Sequence, residues 1–170
     1  FDFSHLFQKN QYGVKVIALE KDARGALWLG TQYGLVEATA QGEELRFRLF
    51  APDAADPFSL SAEFVNCLLP DPAAPDRILW VGTKGGGLDR LDISSGRFTH
   101  LTTEEGLPND VVYGVLPDKL GQLWCSTNRG VVRLQIQNVI WPDAGQPGRQ
   151  VQQIPTIVYT AAEGLQSTEF

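Results

Sequence analysis

The apolar residues of this chain fall in short runs that repeat, and nowhere do they trace a sustained helical stripe. Val16 to Leu19, Val65 to Leu69 and Val112 to Leu116 are bounded by Gly, Asp and Pro and rich in Val, Leu and Ile, a pattern that predicts strands. Each run leads to an acidic residue: Asp22, Asp71 and Asp118. A second run follows, Trp28-Leu29-Gly30-Thr31, and it returns as Trp80-Val81-Gly82-Thr83 and as Trp124-Cys125-Ser126-Thr127. After the threonine come a turn and a third strand: Gly34-Leu35-Val36, Gly86-Gly87-Leu88 and Gly130-Val131-Val132. Leu45 to Phe50, Arg97 to Thr102 and Val151 to Tyr159 supply a fourth. Asp opening a tight turn that Gly closes is hairpin chemistry, seen in Asp22-Ala23-Arg24-Gly25 and Asp118-Lys119-Leu120-Gly121. The middle copy has a longer Pro-rich loop instead, Pro72 to Arg77.

The tryptophans recur 52 and 44 residues apart, so each unit is a four-stranded antiparallel meander. Such a unit cannot cover both of its faces alone and needs a neighbour on each side. The reading is all-β: β-propeller blades at 14–50, 63–102 and 110–160, the last interrupted by an insertion at 137–150. Residues 1–7 read as the outer strand of a preceding blade, and 161–170 as the start of another. That amounts to about three and a half blades, whereas propellers close with about four to eight. The chain is therefore expected to be an incomplete propeller. Its missing blades are expected from a longer parent or from a second copy, and its open ends should expose the Trp-bearing faces.

The repeated residues favour structure over chemistry. Trp28, Trp80 and Trp124 share one strand register and are expected between blades. Asp22, Asp71 and Asp118, one per blade at a turn, are expected to stabilise turns rather than to ligate metal. Thr31, Thr83 and Thr127 are expected to pack or hydrogen-bond within the sheet. His5 and His100 lie in similar outer-strand contexts and read as structural. Cys67 and Cys125 are too few for a disulfide framework or a zinc site. Net charge is −6, with 14 Lys and Arg against 20 Asp and Glu, which disfavours nucleic acid and anionic membrane as partners. No apolar run reaches the roughly 20 residues of a membrane span. No metalloprotease, nucleophile-elbow or phosphate-loop motif occurs, and Lys84-Gly85-Gly86-Gly87 opens no helix. Neither a cofactor nor a catalytic set is expected.

The loops between second and third strands should share a rim with the loops that enter the next blade. There the repeats diverge while their frameworks agree, and divergent loops on a rigid scaffold are where recognition sits. The candidate ligand-binding residues are Tyr33, Lys84, Asn109, Asn128 and Arg129, with Trp141 of the insertion as a further exposed aromatic contact. A solvated rim that binds nothing is the plain alternative.

The recurring Leu27-Trp28-Leu29-Gly30-Thr31 pattern resembles the two-component regulator propeller repeat. Its fullest version is Leu79-Trp80-Val81-Gly82-Thr83 with Gly86-Gly87-Leu88-Asp89-Arg90-Leu91-Asp92. Glu104-Glu105-Gly106-Leu107-Pro108-Asn109-Asp110-Val111 resembles that family's inter-blade linker, and residues 162–170 a later copy of it. The resemblance implies a segment of the periplasmic sensor region of a membrane-anchored hybrid two-component system, upstream of a histidine kinase. It also implies non-enzymatic signal transduction with a carbohydrate ligand. A structural or protein-interaction propeller is the alternative, and a propeller hydrolase or lyase a more distant one.

Overall fold

The computed structural model describes residues 13–137, 139–141 and 151–163. The expected strand at 1–7, His5 and the expected new blade beyond 163 lie outside the described residues, as does 142–150 of the insertion. Among the described residues, twelve strands form three four-stranded antiparallel sheets. Blade 1 holds β1 (Val16–Lys21), β2 (Leu27–Thr31), β3 (Gly34–Gln41) and β4 (Glu44–Phe50). Blade 2 holds β5 (Val65–Pro70), β6 (Ile78–Thr83), β7 (Leu88–Asp92) and β8 (Arg97–Leu101). Blade 3 holds β9 (Val112–Pro117), β10 (Leu123–Thr127), β11 (Gly130–Leu134) and β12 (Thr156–Tyr159). Strands pair in chain order within each blade, so each is a meander. The last strand is shorter than expected. Val151 and Ile154 leave the sheet and bury themselves in the core, and Pro155, which lacks an N–H, precedes the four residues that do pair.

The sheets stack face to face. Trp28, Leu35 and Phe50 of blade 1 pack on Val65, Leu68, Leu79, Val81, Leu91 and Phe98 of blade 2. Ile78, Trp80, Leu88 and Leu101 of blade 2 pack on Val112, Val115, Leu123, Cys125 and Val132 of blade 3. Each Trp-bearing face thus meets the next blade's other face. Side-chain size makes the stack a fan. Close to the first strands, a Cβ on Gly30 would lie 2.7 Å from Val65 Cγ1 of the next blade, and one on Gly82 would lie 3.0 Å from Val112 Cγ1 of the next. At the fourth strands the gap is filled by Phe50 and Phe98, edge to face at 5.7 Å. Small residues inside and large ones outside splay the sheets about a common axis, the β-propeller architecture.

This geometry corrects one expectation about the ends. Among the described residues only blade 3 presents an uncovered Trp-bearing face, with Trp124, Leu116 (69% exposed) and Ile157 on it. Blade 1 exposes its opposite face, where Leu19 is 61% exposed beside Leu27. Among the described residues no helix is long and apolar enough to cross a membrane.

Candidate functional site

The repeated tryptophan and aspartate form one device. Asp22 Oδ1 accepts the backbone N–H groups of Arg24 (2.9 Å) and Ala26 (3.0 Å), while Oδ2 accepts the Trp28 indole N–H at 2.9 Å. Asp118 does the same with Leu120 (2.8 Å), Gln122 (3.0 Å) and Trp124 (3.1 Å). Asp71 does it with Ala73 (2.9 Å), Ala74 (3.1 Å) and Trp80 (2.8 Å). The geometry survives the longer Pro-rich loop of blade 2. Gly25 and Gly121 close the short turns at φ 89° and 73°. Burial works to raise the Asp22 pKa, but the donors from Trp28, Arg24 and Ala26 outweigh it and hold the carboxyl below its ordinary value. Each carboxylate is thus occupied by its own turn. No group of three or more His, Cys, Asp or Glu suited to a metal occurs among the described residues.

On the opposite rim the repeated threonines hold the turns between second and third strands. Thr31, Thr83 and Thr127 are buried and donate to the carbonyls of Gly34, Gly87 and Gly130 at 2.8, 3.0 and 2.9 Å. Each hydroxyl also accepts a turn N–H, from Tyr33, Gly86 and Arg129 respectively. Candidate residues Tyr33 and Arg129 are therefore anchored through their backbones. Lys84 is exposed and bridges in both directions. Its N–H donates to Phe64 O at 2.9 Å, its backbone pairs with Val111, and its ammonium lies 5.5 Å from the Phe64 ring centre. The N–H groups of Gly85 and Gly87 donate to Asp110 O. The entry loop carrying Asn109 is thereby fastened to the turn carrying Lys84. Asn109 Oδ1 accepts the Val111 N–H at 2.9 Å. In blade 3, Asn128 Oδ1 accepts the Tyr113 hydroxyl at 2.7 Å. Lys84 and Asn109 are thus gathered where blades 2 and 3 meet, Asn128 and Arg129 stand on the next turn, and Tyr33 stands one blade back.

A polar cluster near this rim escaped the sequence reading. Asp89 and His100 form a cross-strand pair where blade 1 has Val36 and Leu49 and blade 3 has Val132 and Val158. Asp89 is fully buried. Its Oδ1 lies 2.8 Å from His100 Nδ1, and its Oδ2 accepts the Ser61 N–H at 2.9 Å. His100 Nε2 lies 3.1 Å from Pro57 O. Carboxylate and carbonyl both accept, so this geometry favours the doubly protonated, charged imidazole. Burial works against that charge, but Asp89, the Pro57 carbonyl and Glu105 outweigh it and raise the His100 pKa above its ordinary value. It ties the 51–64 linker to the outer strands of blade 2. A charged residue in the register of Val36 and Val132 was the available signal.

Trp141 does not stand free. It meets Trp80 edge to face at 5.4 Å and covers the Arg90 guanidinium at 4.7 Å, because the chain after β11 folds back over the turn side of blade 2. A cleft of about 270 Å³ opens beside it, on the rim opposite the candidate site. Cys125 is buried and Cys67 half-buried, and both are free thiols. Burial pushes Cys67 up to about 12 and Cys125 higher still, which leaves both unreactive near neutral pH.

The architecture defines a class: a run of consecutive β-propeller blades. Within it, residues 106–129 match the family model described as "Two component regulator propeller". The match falls on the third copy rather than the second, and it takes in the entry loop, the Asp118 turn and Trp124. The second copy carries three extra residues in its turn, which breaks the compact Asp-to-Trp spacing. No curated protein matches the chain. Among solved structures, the chain is similar to an extracellular domain assigned to the hybrid two component system BT4673 of B. thetaiotaomicron. There the TM-score is 0.72 at 22% identity, over 98% of this chain and 21% of that one. The corresponding domain of BT3049 from the same organism gives 0.52 at 20% identity, over 76% and 24%. An inactive H270A virginiamycin B lyase from Staphylococcus aureus, solved with quinupristin, gives 0.54 at 13% identity, over 89% and 43%. These likenesses establish the fold. The chain spans about a fifth of the BT4673 domain it matches.

Proposed function

We propose that this chain is a segment of a ligand-sensing propeller in the extracytoplasmic, periplasmic part of a two-component regulator. It acts without catalysis, and recognition lies on the rim bearing Tyr33, Lys84, Asn109, Asn128 and Arg129. The observation that carries the reading is the two-component regulator propeller repeat at 106–129, set in blades that superpose on extracellular domains of hybrid two-component systems. The remaining blades belong to a longer parent chain. A carbohydrate suits a rim of amide, hydroxyl and cationic side chains with Tyr33 and Tyr113 nearby, since sugars present hydroxyls at their edges and C–H groups on their faces. Calorimetry of the parent protein against a glycan panel tests this. Heat with one glycan, lost on Lys84→Ala together with Asn109→Ala, is expected. No heat with any glycan, alongside a demonstrated partner protein, would establish the protein-interaction reading in its place. The lyase neighbour lends enzymatic turnover no support beyond the fold, because His100, the one described histidine, has both ring nitrogens engaged.

A further inference from the structure

The cleft on the opposite rim lies between the Pro-rich turn of blade 2, the Asp118 turn of blade 3 and the chain following β11. Its walls are mainly Pro72, Ala74, Ile78, Trp80, Ile136 and Trp141, with Asp71, Gln137 and Arg90 as the side chains that bear polar groups. Asp71 is already engaged, with two backbone N–H groups on Oδ1 and the Trp80 indole on Oδ2. Arg90 is not. Among the described residues its guanidinium has Trp141 stacked on one face and no hydrogen bond or ion pair. The charges around it are Asp71 and Asp92, both at a distance, and Arg77, which bridges to Asp92 at 3.9 Å. Burial disfavours the Arg90 cation, and its guanidinium N–H groups, held by no protein acceptor, are open to an arriving one.

The other blades treat the same position differently. In the same register Glu37 accepts an ion pair from Arg24 at 3.0 Å, and Arg133 lies over its own Trp124 at 5.6 Å. Arg90 lines the cleft. The volume is at the small end for ligand sites, which limits the occupant to a compact molecule. Planar bidentate donors select a carboxylate, and flanking indole rings select a flat apolar body.

We infer that this cleft is a second binding site, independent of the rim, for a small monocarboxylate with a planar apolar body. Calorimetry and saturation-transfer NMR on the 170-residue chain, with benzoate as probe and benzamide as its uncharged counterpart at constant ionic strength, test this. Benzoate is expected to bind saturably and at least tenfold more tightly than benzamide. Arg90→Gln should bring benzoate down to the benzamide level. Trp141→Ala, which leaves the guanidinium in place, should weaken both probes and serves as the check should Arg90→Gln fail to fold. Equal affinity for the two probes, no saturable binding of benzoate, or benzoate binding unaffected by either substitution would overturn the proposal.

Discussion

A single carboxylate shows how much one residue can settle in this molecule. Asp71 holds two backbone N–H groups of a seven-residue loop and the indole of Trp80 at once. The turn and the inter-blade core are thus one unit. Trp80→Phe keeps most of the buried ring area but deletes the indole donor and strips the carboxylate of one partner. Hydrogen bonds to charged groups are worth about 1.5–3 kcal/mol, so a loss near that size is expected in urea unfolding. A change within error would mean the ring acts by packing alone. The importance of tryptophan and aspartate was legible in the sequence, because both repeat. Their partnership was not, since the spacing between them changes from six residues to nine in blade 2 and conceals it. Trp141 misled for a related reason: it has no counterpart in the other copies, so nothing in the sequence pointed to Trp80 and Arg90 as its partners.

Elements are joined here by linkers as much as by sheets, and the linker before blade 2 depends on a proton. His100 bridges Asp89 of β7 and the Pro57 carbonyl of the 51–64 segment. The folded-state pKa of His100 is raised. Its contribution is therefore complete below the ordinary histidine value near 6.5 and is lost as pH rises through the folded value. Stability is expected to fall with rising pH above that point, while His100→Gln, which cannot titrate, should flatten this part of the profile. An NMR titration that placed the ring pKa at or below 6.5 would refute the doubly bonded cation. The strands themselves were legible from apolar runs and Gly, Asp and Pro punctuation, down to the four-stranded unit. What escaped was the polar exchange of Asp89 and His100 for the apolar pairs of the neighbouring blades. Strand periodicity records which face a residue occupies and not what it meets there.

At the scale of the whole molecule, interior and exterior faces obey different rules. Trp28 and Trp80 are fully covered by the next blade, and Gly30 and Gly82 admit its first strand. The third copy has Ser126 where those glycines stand, on a face that no described residue covers. Among the described residues, Leu116, Trp124 and Ile157 at one end, and Leu19 and Leu27 at the other, lie on sheet faces that no neighbouring blade covers. Apolar patches of this kind on a soluble protein mark interfaces. The number of blades and their four-stranded form follow from the repeat, whereas which neighbour each tryptophan-bearing face meets came only from the structure. Sedimentation of the 170-residue chain over a wide concentration range tests the account most directly. It predicts concentration-dependent association, reduced when Leu116→Lys and Leu19→Glu are introduced together. A well-behaved monomer at every concentration would contradict it.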